Sequence, residues 1–276
     1  MSGGTLFVVA TPIGNLGDVT LRGLEVLRAV SLVACEDTRV TRRLLDRYEI
    51  RVRTVSYHAQ SAPSRRAELL AHLRAGDDLA LVTDAGTPAV SDPGDELVAA
   101  WAAEGGRIVP IPGASAVMAA VAGSGVAGPR WAFEGFLPRS GRERRERLAR
   151  IAADERGCVL FEAPGRVAAT LRDLTAACGA DRPAAVCREL TKLHEEIRRG
   201  TLEELAAADI PARGEFVIVV GIGEASAEPT ADGLDAARAA VERLVAAGVA
   251  RGEAARRVSA ETGIPRRALY GADRGS

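Results

Sequence analysis

The 276-residue sequence predicts an α/β chain: a parallel-sheet unit, a mixed-sheet unit and a small helical extension. Three observations point there. Through the first half, β-branched apolar runs alternate with amphipathic stretches, the pattern of strands joined by crossover helices. Hydrophobic residues make up 47% but aromatics only 4%, so a sizeable core must be built from Ala, Val, Leu and Ile, which suits packed strands and helices. A stretch bearing glycine and proline, residues 123–129, then breaks the alternation and divides the chain.

The elements follow in order. Residues 6–10 read as a strand, and 11–18 are rich in turn formers. Thr20 stands as an N-cap before Leu21, Leu24, Leu27 and Val30, which fall at near-helical spacing. Strand 32–35 ends in Glu36-Asp37 and leads to helix 38–47. Strand 52–57, helix 64–74, strand 79–83, helix 95–103, strand 107–111 and helix 115–122 complete a first unit, residues 1–125. A second unit, 126–223, has strands near 131–135, 158–161, 184–189, 195–199 and 216–220. Helices 142–153, 166–177 and 201–207 are interleaved, the last opened by a capping box of Thr201 and Glu204. Strands 184–189 and 195–199 have no long helix between them, which predicts a mixed sheet. Residues 224–233 read as a polar linker to helices 234–247 and 253–260, a turn at 261–264 and a helical piece near 265–270. This tail (231–276) has helix-turn-helix spacing, a pattern shared by nucleic-acid readers and by terminal helical caps.

Composition excludes several function classes. A net charge of −1 rules out a globally cationic nucleic-acid binder but not local basic surfaces. Cys35, Cys158, Cys178 and Cys187 lack C-x-x-C spacing and sit in or beside apolar runs. They read as buried free thiols of a reducing compartment, not as a disulfide or a metal site. No secretory signal and no apolar run of about 18 residues is visible, so a cytoplasmic protein with no membrane span is expected.

In open α/β sheets ligands bind beyond the carboxyl ends of the strands. Four unusual loops fall there: 11–18, 36–39, 84–88 and 110–115, each with Gly or Pro beside polar residues or an acidic pair at a strand end. None is a G-x-G-x-x-G or P-loop cradle, and no H-E-x-x-H or G-x-S-x-G nucleophile elbow is present. Lys192 is the only lysine in an arginine-rich chain, and a lysine that survives such a bias can mark a need for an ammonium group. Arg139, Arg142, Arg144, Arg145, Arg147 and Arg150 crowd one segment. The tail adds Arg251, Arg256, Arg257, Arg266 and Arg267. Such clusters either neutralise phosphates or form a solvated helix face.

Thr11-Pro12-Ile13-Gly14-Asn15-Leu16, Glu36-Asp37-Thr38-Arg39, Asp84-Ala85-Gly86-Thr87-Pro88, Asp92-Pro93-Gly94, Glu134-Gly135-Phe136-Leu137-Pro138 and Arg188-Glu189-Leu190-Thr191-Lys192 stand in a telling order. The arrangement resembles the small-subunit ribosomal RNA 2′-O-methyltransferase branch of the tetrapyrrole methylase superfamily. The resemblance runs from about Leu6 to Gly221, and the tail looks like that branch's C-terminal extension. It implies a two-domain tetrapyrrole methylase-like fold, usually a homodimer. It also implies S-adenosylmethionine as methyl donor in the inter-domain cleft, and a cytidine ribose in the decoding centre of 16S rRNA, free or in the small subunit, as acceptor. By resemblance, Asp84, Ala85, Gly86, Thr87, Val90, Ser115 and Ala116 line the donor pocket from the first domain, and Phe161, Leu190 and Phe216 close it from the second. Lys192 leads the catalytic candidates, with Glu36, Asp37 and Glu189 as alternative bases or as groups that position Arg39 and Lys192. Arg39, Arg142, Arg144 and Arg145 are the expected RNA contacts. Ala59-Gln60 after His58, and Gly165 before Arg166, depart from the branch's usual pattern: the neighbourhood of Gly165 receives no catalytic role, and His58 a subordinate one. Two rival readings are a cobalamin-precursor methyltransferase, whose first loop would be of G-x-G-P-G type, and a non-catalytic nucleic-acid binder.

Overall fold

Strands β1 (Thr5–Val9), β2 (Leu32–Cys35), β3 (Arg53–Ser56), β4 (Leu79–Val82) and β5 (Arg107–Ile111) pair in the order β3-β2-β4-β1-β5, every neighbour parallel. The computed structural model describes residues 3–223, 231–262, 264 and 269. Helices α1 (Leu21–Ala29), α2 (Thr38–Arg47), α3 (Pro63–Arg74) and α4 (Asp95–Ala103) carry the chain between these strands. The strands' period of two sorts the core. Val33 and Cys35 pack with Leu24, Leu27, Leu44 and Leu45 under α1 and α2. Leu32 and Ala34 point the other way, to Leu69, Leu73, Leu97 and Trp101 of α3 and α4. Each fully buried Leu contributes roughly 1.5–3 kcal/mol. Thr20 caps α1 by accepting the Gly23 N–H, and Asp37 caps α2 by accepting the Arg39 N–H.

Helix α5 (Ala116–Ser124) follows β5, capped by the Ser115 hydroxyl and ended by Gly125 at φ +71°. It belongs to the first unit in sequence. Its apolar residues Val117 and Ala120 nevertheless pack on Val159, Ala185, Val217 and Val219 of the second sheet, together with Ile13 of the first loop.

The second sheet runs β6 (Trp131–Phe136), β7 (Gly157–Glu162), β10 (Phe216–Val220), β8 (Pro183–Arg188), β9 (Glu196–Thr201). β6 and β7 are parallel and the other pairs antiparallel, so the sheet is mixed as the sequence predicts. Its far face is covered by α6 (Gly141–Ala153), α7 (Val167–Cys178) and α8 (Leu202–Ala207). The Thr201–Glu204 capping box is present. Cys35, Cys158 and Cys187 are buried free thiols, but Cys178, at the end of α7, is only half-buried, a correction to the sequence reading.

Helices α9 (Ala231–Ala246) and α10 (Arg251–Thr262) build their own small core from Ala237, Val241, Ala254, Ala255 and Val258, joined by Ile264 and Leu269. Two boundaries move. Residues 231–233, read as linker, are helical, since polarity does not oppose a first helical turn. Glu261 and Thr262, read as turn, continue α10, and the Thr262 hydroxyl donates back to Val258 O at 2.7 Å. The remainder of the expected linker, 224–230, and most of the last helical piece, with Arg266 and Arg267, lie outside the described residues. Among the described residues no helix is long and apolar enough to cross a membrane.

Candidate functional site

The loops at the carboxyl ends of the first sheet are tied to one another. Thr11 and Gly86 exchange both backbone hydrogen bonds (2.8 and 3.0 Å), and the Thr11 hydroxyl donates to Thr83 O at 2.9 Å. Gly86 takes φ +82°, which suits glycine, and the Thr87 hydroxyl donates to Ala114 O at 3.4 Å. These contacts set residues 85–92 and 115–117 along one side of a cleft of about 370 Å³. The second sheet supplies the other side through Phe136, Phe161, Leu190, Phe216 and Val217. Phe161 anchors an aromatic wall, with ring centroids 5.0 Å from Phe133 and 5.6 Å from Phe136. The cleft is therefore apolar and concave with a few backbone and hydroxyl groups at its rim, the usual make-up of a small-molecule site.

Nine of the ten expected donor residues line this one cleft: Ala85, Gly86, Thr87, Val90, Ser115, Ala116, Phe161, Leu190 and Phe216. Asp84 is not among the lining residues. Its carboxylate accepts the Asp37 N–H at 3.0 Å, and burial raises its pKa above the ordinary value. Here the structure corrects the expectation of direct contact, because Asp84 spends its carboxylate tying two strand-end loops together.

Asp84 belongs to an acidic group with Glu36 and Asp92. Glu36 accepts the Asp84 N–H at 3.5 Å, and burial, helped by the nearby Asp84 charge, raises its carboxyl despite that bond. Asp92 is pushed up to about 6, by burial first and then by the charges of Glu36 and Asp84. It lines both the cleft and a polar cavity of about 630 Å³ that also touches Glu36, Tyr57, His58 and Arg66. Asp37 behaves in the opposite way: Arg39, bonded at 2.6 Å, holds it down to about 2.

Lys192 sits on the second-sheet side. Its Nζ donates to Glu189 at 2.9 Å and to Glu215 at 2.5 Å. Glu189 and Thr191 carry φ +50° and +67°, non-glycine backbone in the left-handed region that costs energy and is held by its surroundings. A Cβ on Gly14 would stand 2.5 Å from Lys192 Cγ, so the first loop reaches the lysine only because residue 14 is glycine. Burial alone would lower the Lys192 pKa, but the bonds to Glu215 and Glu189 outweigh it and the net shift is upward. To act as the base for which it was the leading candidate, Lys192 would have to be neutral, but two carboxylates keep it an ammonium. Glu189 is in turn held below the ordinary range by Lys192, which makes it a weak base. Of the three expected catalytic carboxylates, Glu36, Asp37 and Glu189, only Glu36 has a raised pKa.

The arginine segment divides by face. Arg144 is 7% exposed, bonded to Asp173 (2.7 Å), to the Thr170 hydroxyl and to Pro138 O. It is therefore withdrawn from the RNA contacts, because a buried, fully bonded guanidinium has nothing left to offer a phosphate. Arg147 also turns inward, to Glu134. Arg139, Arg142, Arg145 and Arg150 are exposed, Arg142 beside Glu146. In the tail, Arg251 pairs with Glu242, and Arg256 and Arg257 pair with Glu253. Asp92, Phe136 and Glu215 carry no role in the sequence reading. Asp92-Pro93-Gly94 was a visible motif, whereas the facing of Phe136 and Glu215 depends on how the two sheets meet. Among the described residues no group of three or more His, Cys, Asp or Glu stands close enough to hold a metal ion.

Comparison with known proteins places this geometry. Residues 5–206 match the model of the Tetrapyrrole (Corrin/Porphyrin) Methylases. A Synechocystis sp. protein named ribosomal RNA small subunit methyltransferase I is 45% identical over 269 residues, covering 97% of this chain and 96% of its own. The protein of that name from Mycobacterium tuberculosis is 43% identical, covering 99% and 95%. Among solved structures, a cobalt precorrin-4 methyltransferase superposes with a TM-score of 0.61 at 20% identity, covering 79% of this chain and 94% of its own. Uroporphyrin-III C-methyltransferase from Thermus thermophilus, complexed with S-adenyl homocysteine, gives 0.56 at 20% identity, covering 79% and 97%. The two structural likenesses speak for the fold alone.

Proposed function

Because the chain belongs to the tetrapyrrole methylase family, we propose that this methyltransferase transfers a methyl group from S-adenosylmethionine to the ribose 2′-hydroxyl of a cytidine in the decoding centre of 16S ribosomal RNA. The observation that carries the choice of RNA is the extent of similarity. Relatives named for small-subunit ribosomal RNA are 40–47% identical over 96–99% of the chain, the helical extension included. The first loop, Thr11-Pro12-Ile13-Gly14-Asn15, agrees, since the tetrapyrrole enzymes' expected G-x-G-P-G is not there.

The cleft fits the donor by size and chemistry: ligand sites run roughly 300–1,000 Å³ and combine apolar walls with a few fixed polar groups. Phe136, Phe161, Leu190 and Phe216 would flank the adenine, while the backbone of residues 85–87 and the Ser115 rim would hold the amino-acid end. When bound, the donor supplies an electrophilic methyl group on a sulfonium. The protein's task is then alignment of acceptor oxygen and methyl carbon, which contributes on the order of 7–11 kcal/mol. Lys192, an ammonium bonded to Glu215 of the cleft lining and followed by exposed Leu193, serves as a point charge for an RNA phosphate, and exposed Arg142 and Arg145 on α6 offer further cationic contacts. The reading includes two copies of the chain per enzyme and action in the cytoplasm.

Incubation with methyl-labelled donor and either small ribosomal subunits or a cobalamin precursor tests the proposal. Label is expected in 16S RNA alone. Label in the tetrapyrrole, or donor binding with no transfer to RNA, would contradict it.

A further inference from the structure

The polar cavity adjoins the cleft and shares with it the wall made by Ser91 and Asp92. The two spaces differ in chemistry. Phenylalanines and leucine wall the cleft, whereas hydroxyls, an imidazole, a guanidinium and carboxylates wall the cavity. The turn that places Asp92 between them is held by costly backbone: Ala89 and Ser91 take φ +66° and +62° without being glycine. It ends at Gly94, φ +130°, where a Cβ would stand 2.7 Å from Leu81 Cδ2. Glu36, Asp37 and Asp84 all accept backbone N–H groups, but the half-buried Asp92 carboxyl has no hydrogen-bond or ion-pair partner among the described residues. A fold that maintains strain to hold an unbonded carboxylate between two cavities keeps that carboxylate available for something else.

The geometry points to Asp92 as the catalytic base: the polar cavity receives the acceptor nucleotide, and Asp92 takes the proton of the attacking ribose hydroxyl. This rests on the reading of the protein as an RNA 2′-O-methyltransferase. In the step, the O–H bond breaks, its electron pair stays on oxygen, and the proton passes to the Asp92 carboxylate. The oxygen forms the new C–O bond as the methyl C–S bond breaks, and that pair returns to sulfur, leaving a neutral thioether. Asp92 then releases its proton to water. Burial beside Glu36 and Asp84 makes Asp92 more basic than an ordinary carboxylate, with a value of about 6. The other charged or titratable groups facing the cavity are Tyr57 and His58 after β3, Arg66 on α3, and Asp95 and Glu96 on α4. Arg66 is paired with Glu96, and His58 Nδ1 accepts the Gln60 N–H at 3.2 Å, which leaves Nε2–H as a donor.

The test is single-turnover methyl transfer to small ribosomal subunits from pH 5 to 8.5, with donor-product affinity measured by calorimetry and RNA affinity by filter binding. The wild-type rate should rise with pH and level off above about 6. Asp92→Asn should lose about 10²–10⁴-fold in rate, keep both affinities and lose the limb. Glu36→Gln, by removing a neighbouring charge, should move the limb to lower pH even if Asp92→Asn fails to fold. A near-normal rate in Asp92→Asn, or a wild-type rate flat through pH 6, would overturn the assignment and leave the RNA reading standing. A wild-type enzyme inert on small subunits would overturn the RNA reading itself and this assignment with it.

Discussion

At Asp92 chemistry and stability oppose each other. Its carboxyl titrates near 6 in the fold and at about 3.9 in an unfolded chain. Below about pH 4 both states are neutral there and nothing is lost. Between about 4 and 6 the folded state holds more protons, so stability falls as pH rises, and above 6 the full cost is present. Asp92→Asn should therefore raise stability at pH 7.5 by ~1–3 kcal/mol, the upper end converting the whole shift and the lower allowing for screening at the exposed edge. Thermal unfolding should show the gain vanish below about pH 4, and a destabilised variant at pH 7.5 would contradict the cost. Lys192 gives the second residue-scale prediction. A guanidinium keeps the charge between Glu189 and Glu215, so Lys192→Arg should hold turnover within about tenfold. Collapsed turnover with intact donor and RNA binding would restore a role for a neutral lysine. The positions of Ala85, Gly86 and Thr87 in the cleft were legible because motif and strand-end position coincide there, whereas Phe161 and Phe216 came only through the family resemblance. The exchange of roles between Asp84 and Asp92 was not, because which of two loop carboxylates meets backbone N–H groups depends on how three loops pack.

On α6 the face decides the function of each arginine. Arg144, Leu148 and Ile151 stand at i, i+4 and i+7 and all are buried, so Arg144 lies on the helix's apolar stripe. That spacing was in the sequence, and the concentration of positive charge hid it. Arg144 anchors a network in which Thr170 donates at 2.6 Å to Glu162, whose side chain is fully buried and also meets Arg166. Arg144→Ala should cost ~2–4 kcal/mol of stability through the unpaired groups it leaves. Arg142→Ala and Arg145→Ala should each stay within about 0.5 kcal/mol, yet weaken RNA binding and lower its salt slope by about 1. Denaturant unfolding and salt-dependent RNA binding separate the two classes. An Arg144→Ala protein of normal stability that binds RNA poorly would reverse the assignment. The alternating sheet-and-helix order, the caps at Thr20 and Thr201 and the mixed second sheet were readable, since each rests on local period or a capping residue. The start of α9 was not, because a polar first turn resembles a linker.

Across the whole molecule, the cleft exists because parts of the first unit's chain pack on the second sheet. Ile13 and α5 share a core layer with Val159, Ala185 and Val217, while the turn at 85–92 meets Phe136, Phe161 and Phe216 across the gap. The division of the chain near residue 125, read from glycine and proline, marks a change of sheet but not the packing boundary, which α5 crosses. A ligand held by both sides should therefore stabilise the fold as a unit: donor product at about 100 times its Kd should add about 2.7 kcal/mol, seen as one unfolding transition moving upward. A shift confined to one of two separate transitions would place the ligand on one unit alone. Where the methyl group goes is read most directly by mass spectrometry of nucleosides from 16S RNA methylated by the purified protein. Label is expected in 2′-O-methylcytidine; label in a base-methylated nucleoside, or in no nucleoside at all, would overturn the assignment of the ribose hydroxyl as acceptor.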